Sequence, residues 1–253
     1  MNRHAPVSTG PVAGRTSTAV DAEVLPSGLV GAPERMARGT LDVPAPAAAV
    51  ALLGALLLRD EPDGRRTIAR IVETEAYRED DPASHSVRRT TRTEPMFWRP
   101  GTAYVYRSYG VHWCLNVTVE GEDTGAAVLV RAARVVEGHA VVRRRRPAGV
   151  SDRELLRGPG RLTAGLDLDA PRHDRGDLVT GVAGLVLATD AWRPSERLVT
   201  AGPRVGIRHA ADRPWRFHLR GAPEVSPYRR SPRARPAETA EGPPRAYNAP
   251  RLQ

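Results

Sequence analysis

The sequence predicts a single α+β domain, rich in short strands and with a few short helices. Apolar residues recur with period two across much of residues 68–131, which is typical of half-buried strands. Turn-forming runs such as Glu61-Pro62-Asp63-Gly64 join neighbouring strand segments into hairpins. A chain of 253 residues that is 40% hydrophobic can bury one sizeable core.

The first elements are predicted after a low-complexity N-terminus. Residues 1–34 are rich in Pro, Gly, Ser, Thr and Ala without an apolar period, so we expect a disordered tail before a domain that spans 35–226. Pro44 and Pro46 suit a helix entrance and Gly54 a helix end. A strand over 56–59 should then pair with the strand that starts at Ile68.

The strand from Ile68 to Tyr77 carries unusual polar side chains. Strict alternation places Ala69, Ile71, Glu73, Glu75 and Tyr77 on one face. Two carboxylates and a phenol would therefore share a face. The following segment, 78–99, is polar, basic and without a period, which predicts an exposed loop.

A hairpin with an exposed tip is expected next. Pro100-Gly101 restarts the strand pattern, and Tyr104, Tyr106 and Tyr109 follow. Gly110 indicates a turn that pushes Tyr109 outward, whereas Tyr104 is expected to pack in the sheet.

The next two strands each place a polar residue among apolar ones. Alternation places Asn116 on the strand face opposite to Leu115 and Val117, which flank it in the sequence. Arg131 lies in an apolar strand, where a guanidinium needs an anion, and Glu75 and Glu73 are alternative partners.

The C-terminal third contains weaker signals. The arginines at 143–146 favour a solvated face over a phosphate clamp. Residues 151–154 fit a capping box that starts a helix through Leu156, and 157–161 fit a flexible loop. Strands are expected over 178–189, 204–207 and 216–220. Residues 227–253 are Pro- and Arg-rich, which predicts a second disordered tail, and we expect both tails to add salt-sensitive affinity for DNA.

Composition restricts the chemistry. The net charge of +9 favours an anionic partner, although a genome-wide arginine bias also produces basic proteins. The chain contains no lysine, so no lysine side chain can form a Schiff base, and only the N-terminal amine could substitute. One cysteine, Cys114, and seven scattered histidines predict no metal and no cofactor. No apolar run approaches the ~20 residues of a membrane span, so we expect no membrane partner and a soluble, cytoplasmic monomer.

Several motifs together resemble one enzyme family. These are Val72-Glu-Thr-Glu-Ala-Tyr77, His85, Met96-Phe97, Tyr104-Val-Tyr106, Tyr109-Gly110, Cys114, Asn116-Val117, Arg131, Gly158-Pro-Gly-Arg-Leu162 and Trp215-Arg-Phe-His-Leu-Arg-Gly-Ala-Pro223. From Met36 to Ser226 the chain resembles the alkyladenine (3-methyladenine) DNA glycosylases. The resemblance implies a single mixed α+β domain with a curved antiparallel β-sheet, a protruding β-hairpin and surrounding short helices.

The resemblance also implies roles for individual residues. Glu75 corresponds to the general base that activates water, and Arg131 to the arginine beside it. The remaining matches form the base pocket and the DNA wedge: Tyr77, His85 and Tyr106 would sandwich an extruded base, Asn116 would reject the amino group of guanine, and Tyr109 would insert into the DNA.

The implied function is that of a monofunctional glycosylase of the base excision repair pathway, with double-stranded DNA containing a damaged purine as partner, at the nucleoid. The alternative is a catalytically inactive protein that binds damaged DNA or RNA through the same groove. The sequence departs from the family pattern at Thr91–Pro95, at the bulky Trp98 and Trp113, and at Arg161, where lysine is common.

Overall fold

The computed structural model of the chain describes residues 20–22 and 24–237. Within them the strands are β1 Val20–Ala22, β2 Glu34–Arg35, β3 Leu56–Asp60, β4 Arg66–Arg78, β5 Ala103–Ser108, β6 His112–Thr118, β7 Ala126–Glu137, β8 Leu185–Thr189, β9 Trp192–Pro194, β10 Val199–Gly202 and β11 Arg216–Leu219. The α-helices are α1 Ala45–Ala51, α2 His139–Arg144, α3 Pro159–Gly165 and α4 Ala170–His173.

One antiparallel sheet organises these elements, which confirms the α+β class. Its strands follow the order β2-β8-β3-β4-β7-β6-β5. Strand β11 also pairs with β4, beyond the stretch that pairs with β3, and β10 extends this branch. The central strands β4 and β7 are therefore long enough to carry both the core and a polar site.

The core lies on one face of β4, β6 and β7 and is closed by α1. Leu115, Val117 and Val119 belong to it, as their alternation predicts. Helix α1 begins with Pro at its second position and ends before Gly54, whose φ of 84° glycine adopts without steric cost. The Thr74 hydroxyl donates to the Ala49 carbonyl at 2.9 Å and joins β4 to this helix.

Strict alternation along β4 is wrong at one point. Ala69 and Ile71 lie in the hydrophobic core with Val72, whereas Glu73 and Glu75 contact polar partners. The pairing register with β7 shifts between Ile71 and Glu73. A β-bulge inserts one extra residue into β4 at this point, so the alternation shifts by one position. Ala69 and Ile71 therefore do not share a face with Glu73 and Glu75.

The segment between β4 and β5 is only partly the exposed loop that its polarity predicts. Residues 87–92 are exposed, but Asp81, Ser86, Met96 and Phe97 are buried. Two 3-10 helices, His85–Val87 and Glu94–Phe97, shape the segment. Its buried polar residues bind residues that are distant in the sequence, and the periodicity of the sequence does not predict such contacts.

Four smaller predictions are corrected. The Ser151 hydroxyl donates to the Glu154 carboxylate instead of capping the backbone, and only a 3-10 turn forms over Asp152–Glu154. Pro159 starts α3 inside the expected loop. In 178–189, the positive φ of Gly181 and Gly184 confines the strand to β8. The strand expected over 204–207 is wrong, because the Val205 N–H donates to the Glu75 carboxylate and not to a neighbouring strand.

Both expected tails extend partly into the described residues. Residues 24–34 run beside the sheet, where the Asp190 carboxylate accepts from the Val30 N–H at 2.8 Å. Residues 227–237 form hydrogen bonds with the segment 206–212. The tail predictions for residues 1–19, 23 and 238–253 lie outside the described residues.

The hairpin of β5 and β6 projects its turn into solvent, as predicted. Tyr109 at the turn is 96% exposed and has a φ of 49°. Among residues 20–22 and 24–237, no helix is long and apolar enough to cross a bilayer.

Candidate active site

A cavity of about 670 Å³ opens beside the polar face of the central strands. All seven residues singled out from the sequence line it: Glu75, Tyr77, His85, Tyr106, Tyr109, Asn116 and Arg131. They come from β4, β5, β6, β7, a 3-10 helix and the β5–β6 turn. The antiparallel pairing of these strands brings together residues that lie up to 56 positions apart, such as Glu75 and Arg131.

Glu75 is a fully buried carboxylate with three hydrogen-bond donors around it. The Tyr77 hydroxyl donates to its Oε2 at 2.8 Å, and Arg131 Nη1 donates to the same oxygen at 3.3 Å. The Val205 N–H donates to Oε1 at 2.7 Å. These donors fix the orientation of both oxygens against the cavity.

Arg131 also binds Glu73, so both alternative partners are used. Its Nε donates to Glu73 Oε1 at 3.0 Å. Arg216 Nε donates to the same oxygen at 2.7 Å, and the Ser226 N–H donates to Glu73 Oε2 at 2.7 Å. The buried group therefore holds two carboxylates and two guanidiniums.

The charges of this group set the pKa of Glu73. Burial alone would raise it, but the positive charges of Arg131 and Arg216 outweigh burial and lower the pKa of this carboxyl. Burial alone would lower the pKa of Arg131, but the negative charges of Glu75 and Glu73 raise it above its usual value. Glu73 is thus an anion that holds Arg131 in place beside Glu75.

Arg204 is a buried residue behind the site that the sequence did not reveal. Its guanidinium lies 4.6 Å from the Tyr77 ring and 5.4 Å from the Trp215 ring, and it is buried. It pairs with the buried Asp81 and donates to the Ala76 carbonyl at 2.9 Å. The pair of Arg204 and Asp81 therefore holds the Tyr77 ring and the Val205 amide, which follows Arg204 in the chain, in place. Arg204 begins the strand expected over 204–207, and its place at the end of that short segment did not distinguish it from the other arginines.

Arg216 and Ser226 were also missed as site residues. Arg216 sits between Trp215 and Phe217 in a predicted strand. A guanidinium among apolar strand residues is the same signal that identified Arg131, so this one was detectable. Ser226 carries no comparable signal.

Aromatic rings form a second wall. The His85 and Tyr106 rings meet edge to face, with centroids 4.6 Å apart, and Tyr104 stacks on Tyr106 at 5.4 Å. Tyr104 therefore packs in the sheet as expected, and its hydroxyl is hydrogen-bonded to His85 Nδ1 at 3.0 Å. The Arg92 guanidinium lies 5.6 Å from the Tyr106 centroid.

This wall presents neutral groups to the cavity. Desolvation and the nearby charge of Arg92 lower the pKa of His85, which favours the neutral imidazole. Burial raises the pKa of Tyr104 to about 12 and raises that of Tyr106 as well. Burial and the charge of Glu75 raise the pKa of Tyr77 in the same way.

Asn116 and Cys114 face the cavity from β6. Both are buried, and both lie on the side opposite to the core residues Leu115 and Val117. Asn116 Nδ2 donates to the Tyr104 carbonyl at 3.0 Å. One donor of the amide is thus used within the sheet. Burial raises the pKa of the Cys114 thiol, which favours the unreactive form.

The arrangement suits a flat, electron-poor ring and a water molecule. Edge and face contacts from three rings favour an aromatic or cationic guest. Within residues 20–22 and 24–237, no group of three His, Cys, Asp or Glu side chains could hold a metal ion. The available chemistry is that of an oriented carboxylate, which can accept a proton from water.

Comparisons with known proteins identify the family of the chain. Residues 40–223 match the family model described as methylpurine-DNA glycosylase. A relative from Nocardia farcinica with the provisional name 3-methyladenine DNA glycosylase is 45% identical over 210 residues, which are 80% of this chain and 96% of the relative. Relatives with the same name from Mycobacterium leprae and Nitrosospira multiformis are 43% and 41% identical, over 74% and 77% of this chain and 86% and 96% of theirs. Because the family model spans most of the chain and includes the strands that carry Glu75 and Arg131, the protein belongs to the methylpurine-DNA glycosylase family.

Proposed function

We propose that this DNA glycosylase is monofunctional, acts as a monomer on double-stranded DNA at the nucleoid, and releases alkylated or deaminated purines. The observation that carries the proposal is the buried Glu75 carboxylate, held by Tyr77, Arg131 and the Val205 amide at the wall of an aromatic cavity. The provisional names of the relatives, 3-methyladenine DNA glycosylase, support this substrate class.

Glu75 acts as the general base. A water molecule next to its carboxylate attacks C1′ of the extruded nucleotide, and Glu75 accepts the proton that the water loses. The bond between C1′ and the base nitrogen breaks, and its electron pair leaves with the base. The carboxylate also stabilises the oxocarbenium-like charge that develops on the sugar. Arg131 positions Glu75 and the water.

The aromatic wall selects the base. A purine alkylated at N3 or N7 is positively charged, and electron-rich rings attract it by roughly 0.5–2 kcal/mol more than the neutral purine. Tyr77, His85 and Tyr106 supply these rings, and the neutral imidazole of His85 does not repel the cation. The Asn116 amide at the cavity wall opposes the exocyclic amino group of undamaged guanine.

Tyr109 fills the space that the extruded base leaves. Extrusion costs a few kcal/mol of lost pairing and stacking. A ring on the exposed hairpin tip restores part of the stacking by insertion between base pairs. Because the chain has no lysine, strand cleavage through a lysine Schiff base does not follow, and the product is an intact abasic site.

Single-turnover cleavage of a labelled duplex tests the proposal. Duplexes with one hypoxanthine or one ethenoadenine are incubated with excess enzyme and then divided into samples with and without hot alkali. Wild-type protein should produce strand breaks only after alkali. Glu75→Gln should lose this activity, whereas Glu154→Gln, which alters a half-buried carboxylate outside the cavity lining, should retain it.

The negative outcomes are also informative. If neither lesion is released, methylated DNA is assayed next. Failure with all three substrates, together with tight binding of a damaged duplex, would replace the glycosylase by a damage-binding protein. Equal rates for Glu75→Gln and the wild type would exclude Glu75 as the base.

A further inference from the structure

The segment 227–237, which we name the C-terminal strap, lies along one wall of the cavity. The Gly206 N–H donates to the Arg229 carbonyl at 2.9 Å. The Arg235 N–H donates to the Arg208 carbonyl at 2.6 Å, and the Ala211 N–H donates to the Arg235 carbonyl at 3.0 Å. The strap is thus paired, backbone to backbone, with the segment that contributes Val205 to Glu75.

The start of the strap is tied to the buried charges. Ser226, the residue before it, donates its N–H and its hydroxyl to Glu73 at 2.7 and 2.8 Å. Arg131 Nη2 donates to the Ser226 hydroxyl at 3.2 Å, and Arg216 Nη2 donates to its carbonyl at 2.7 Å. This anchor fixes the place where the chain enters the cavity wall.

Two strap residues line the cavity itself. Ser231 and Arg233 border the same space as Glu75 and Tyr106. The Ser231 hydroxyl accepts from the Arg233 N–H at 3.2 Å and shapes the turn between them. Both residues lie beyond 40–223, the range that matches the family model. The strap therefore adds to the family site a wall that the matched domain does not supply.

The cavity has an excess of positive charge. Four lining arginines, Arg92, Arg107, Arg208 and Arg233, form no ion pair with a carboxylate within the described residues. The one carboxylate of the lining, Glu75, is already bound by Arg131. Exposed guanidiniums around a cavity that receives a nucleotide favour the phosphates of that nucleotide.

We propose that the C-terminal strap is a substrate-binding element and that Arg233 binds a backbone phosphate beside the extruded nucleotide. The inference rests on the proposed function, because it takes DNA with a flipped nucleotide as the ligand. Arg233 would add affinity for the damaged duplex without a part in the chemical step.

Arg233→Ala is compared with Arg230→Ala, which removes the same charge from the same strap outside the cavity lining. The probes are a duplex with one tetrahydrofuran abasic analogue and the same duplex undamaged, bound at several salt concentrations. Arg233→Ala should weaken binding to the abasic analogue severalfold and lower the salt slope by about 0.9, the value for one phosphate contact. Arg230→Ala should change both much less, and the single-turnover rate at saturating enzyme, measured for both variants, separates a loss of binding from a loss in the chemical step.

Each outcome separates the two proposals. Equal affinities and slopes for the two variants would overturn the role of Arg233 even where the wild type releases purines. A wild type that releases no purine would defeat the proposed function, whereas a selective loss of binding in Arg233→Ala would still establish the phosphate contact. If Arg233→Ala lowers the saturated rate but not the affinity, the contact is not a binding contact and the inference is wrong.

Discussion

Arg131 lies closer to Glu73 than to the proposed general base Glu75. Its Nε contacts Glu73 at 3.0 Å, and its Nη1 contacts Glu75 at 3.3 Å. One guanidinium thus joins a carboxylate that faces the cavity to a carboxylate enclosed by Arg216 and Ser226. Because Glu73 also binds this guanidinium, Arg131 has a fixed position beside Glu75.

Glu73→Gln should lower both stability and activity. The substitution leaves Arg131 and Arg216 with one buried anion fewer, and the loss of a partner in a buried ion pair costs about 3–5 kcal/mol. Urea unfolding measures the loss, and single-turnover assays at a temperature where the variant is folded measure the rate. Glu154→Gln removes a half-buried surface carboxylate that pairs with the exposed Arg161, and it serves as the control. A Glu73→Gln variant as stable as the wild type would show that the Glu73 carboxylate does not stabilise the buried positions of Arg131 and Arg216.

The same carboxyl predicts a dependence of stability on pH. The pKa of Glu73 is lowered in the folded state from its usual 4.5, because Arg131 and Arg216 outweigh burial. Its contribution is therefore complete above the unfolded pKa and is lost as the pH falls through the lower folded pKa. Unfolding free energies measured from about pH 7 to about pH 3 should fall less steeply for Glu73→Gln than for the wild type. Parallel curves would contradict the assignment.

Tyr109→Ala should impair base extrusion without affecting the fold. The side chain is 96% exposed, so the free energy of unfolding should change by less than about 0.5 kcal/mol. Stacking of an aromatic ring on bases contributes about 1–3 kcal/mol, which predicts a loss of about 5- to 150-fold in single-turnover efficiency on hypoxanthine. Tyr109→Phe keeps the ring and should remain near the wild type. Wild-type efficiency in the alanine variant would exclude a wedge at this position.

Arg204→Met should destabilise the protein because Asp81 then remains buried without its cation. The expected loss is about 3–5 kcal/mol. The double variant Arg204→Met/Asp81→Asn removes both charges and should regain much of that stability in thermal unfolding. Its activity should stay low, since Tyr77 and the Val205 amide lose their anchor. Full activity in the stable double variant would limit Arg204 to a structural role.

Much of the site could be predicted from local patterns. The alternation in β6 separates Asn116 and Cys114 from the core residues Leu115 and Val117, and the structure agrees. Gly110 after Tyr109 predicts the exposed tip that is observed. These features depend on neighbours in the chain, because steric limits on the backbone act over a few residues.

Other features depend on distant partners. The bulge between Ile71 and Glu73 shifts the alternation of side chains along β4, and it is visible only in the pairing with β7. Arg204 and Asp81 are 123 residues apart, and Glu73 and Ser226 are 153 residues apart. No period connects such positions.

By itself, the sequence determined the α+β class, the strands that carry Glu75 and Arg131, the side of β6 that carries Asn116 and the exposed position of Tyr109, because side-chain alternation and turn chemistry are local properties. Only the tertiary structure decided how Arg131 is shared between Glu73 and Glu75, where Arg204 lies, and that the strap at 227–237 walls the cavity. Buried charges and irregular backbone must find hydrogen-bond partners wherever the folded chain supplies them, and those partners come from contacts that form only on folding.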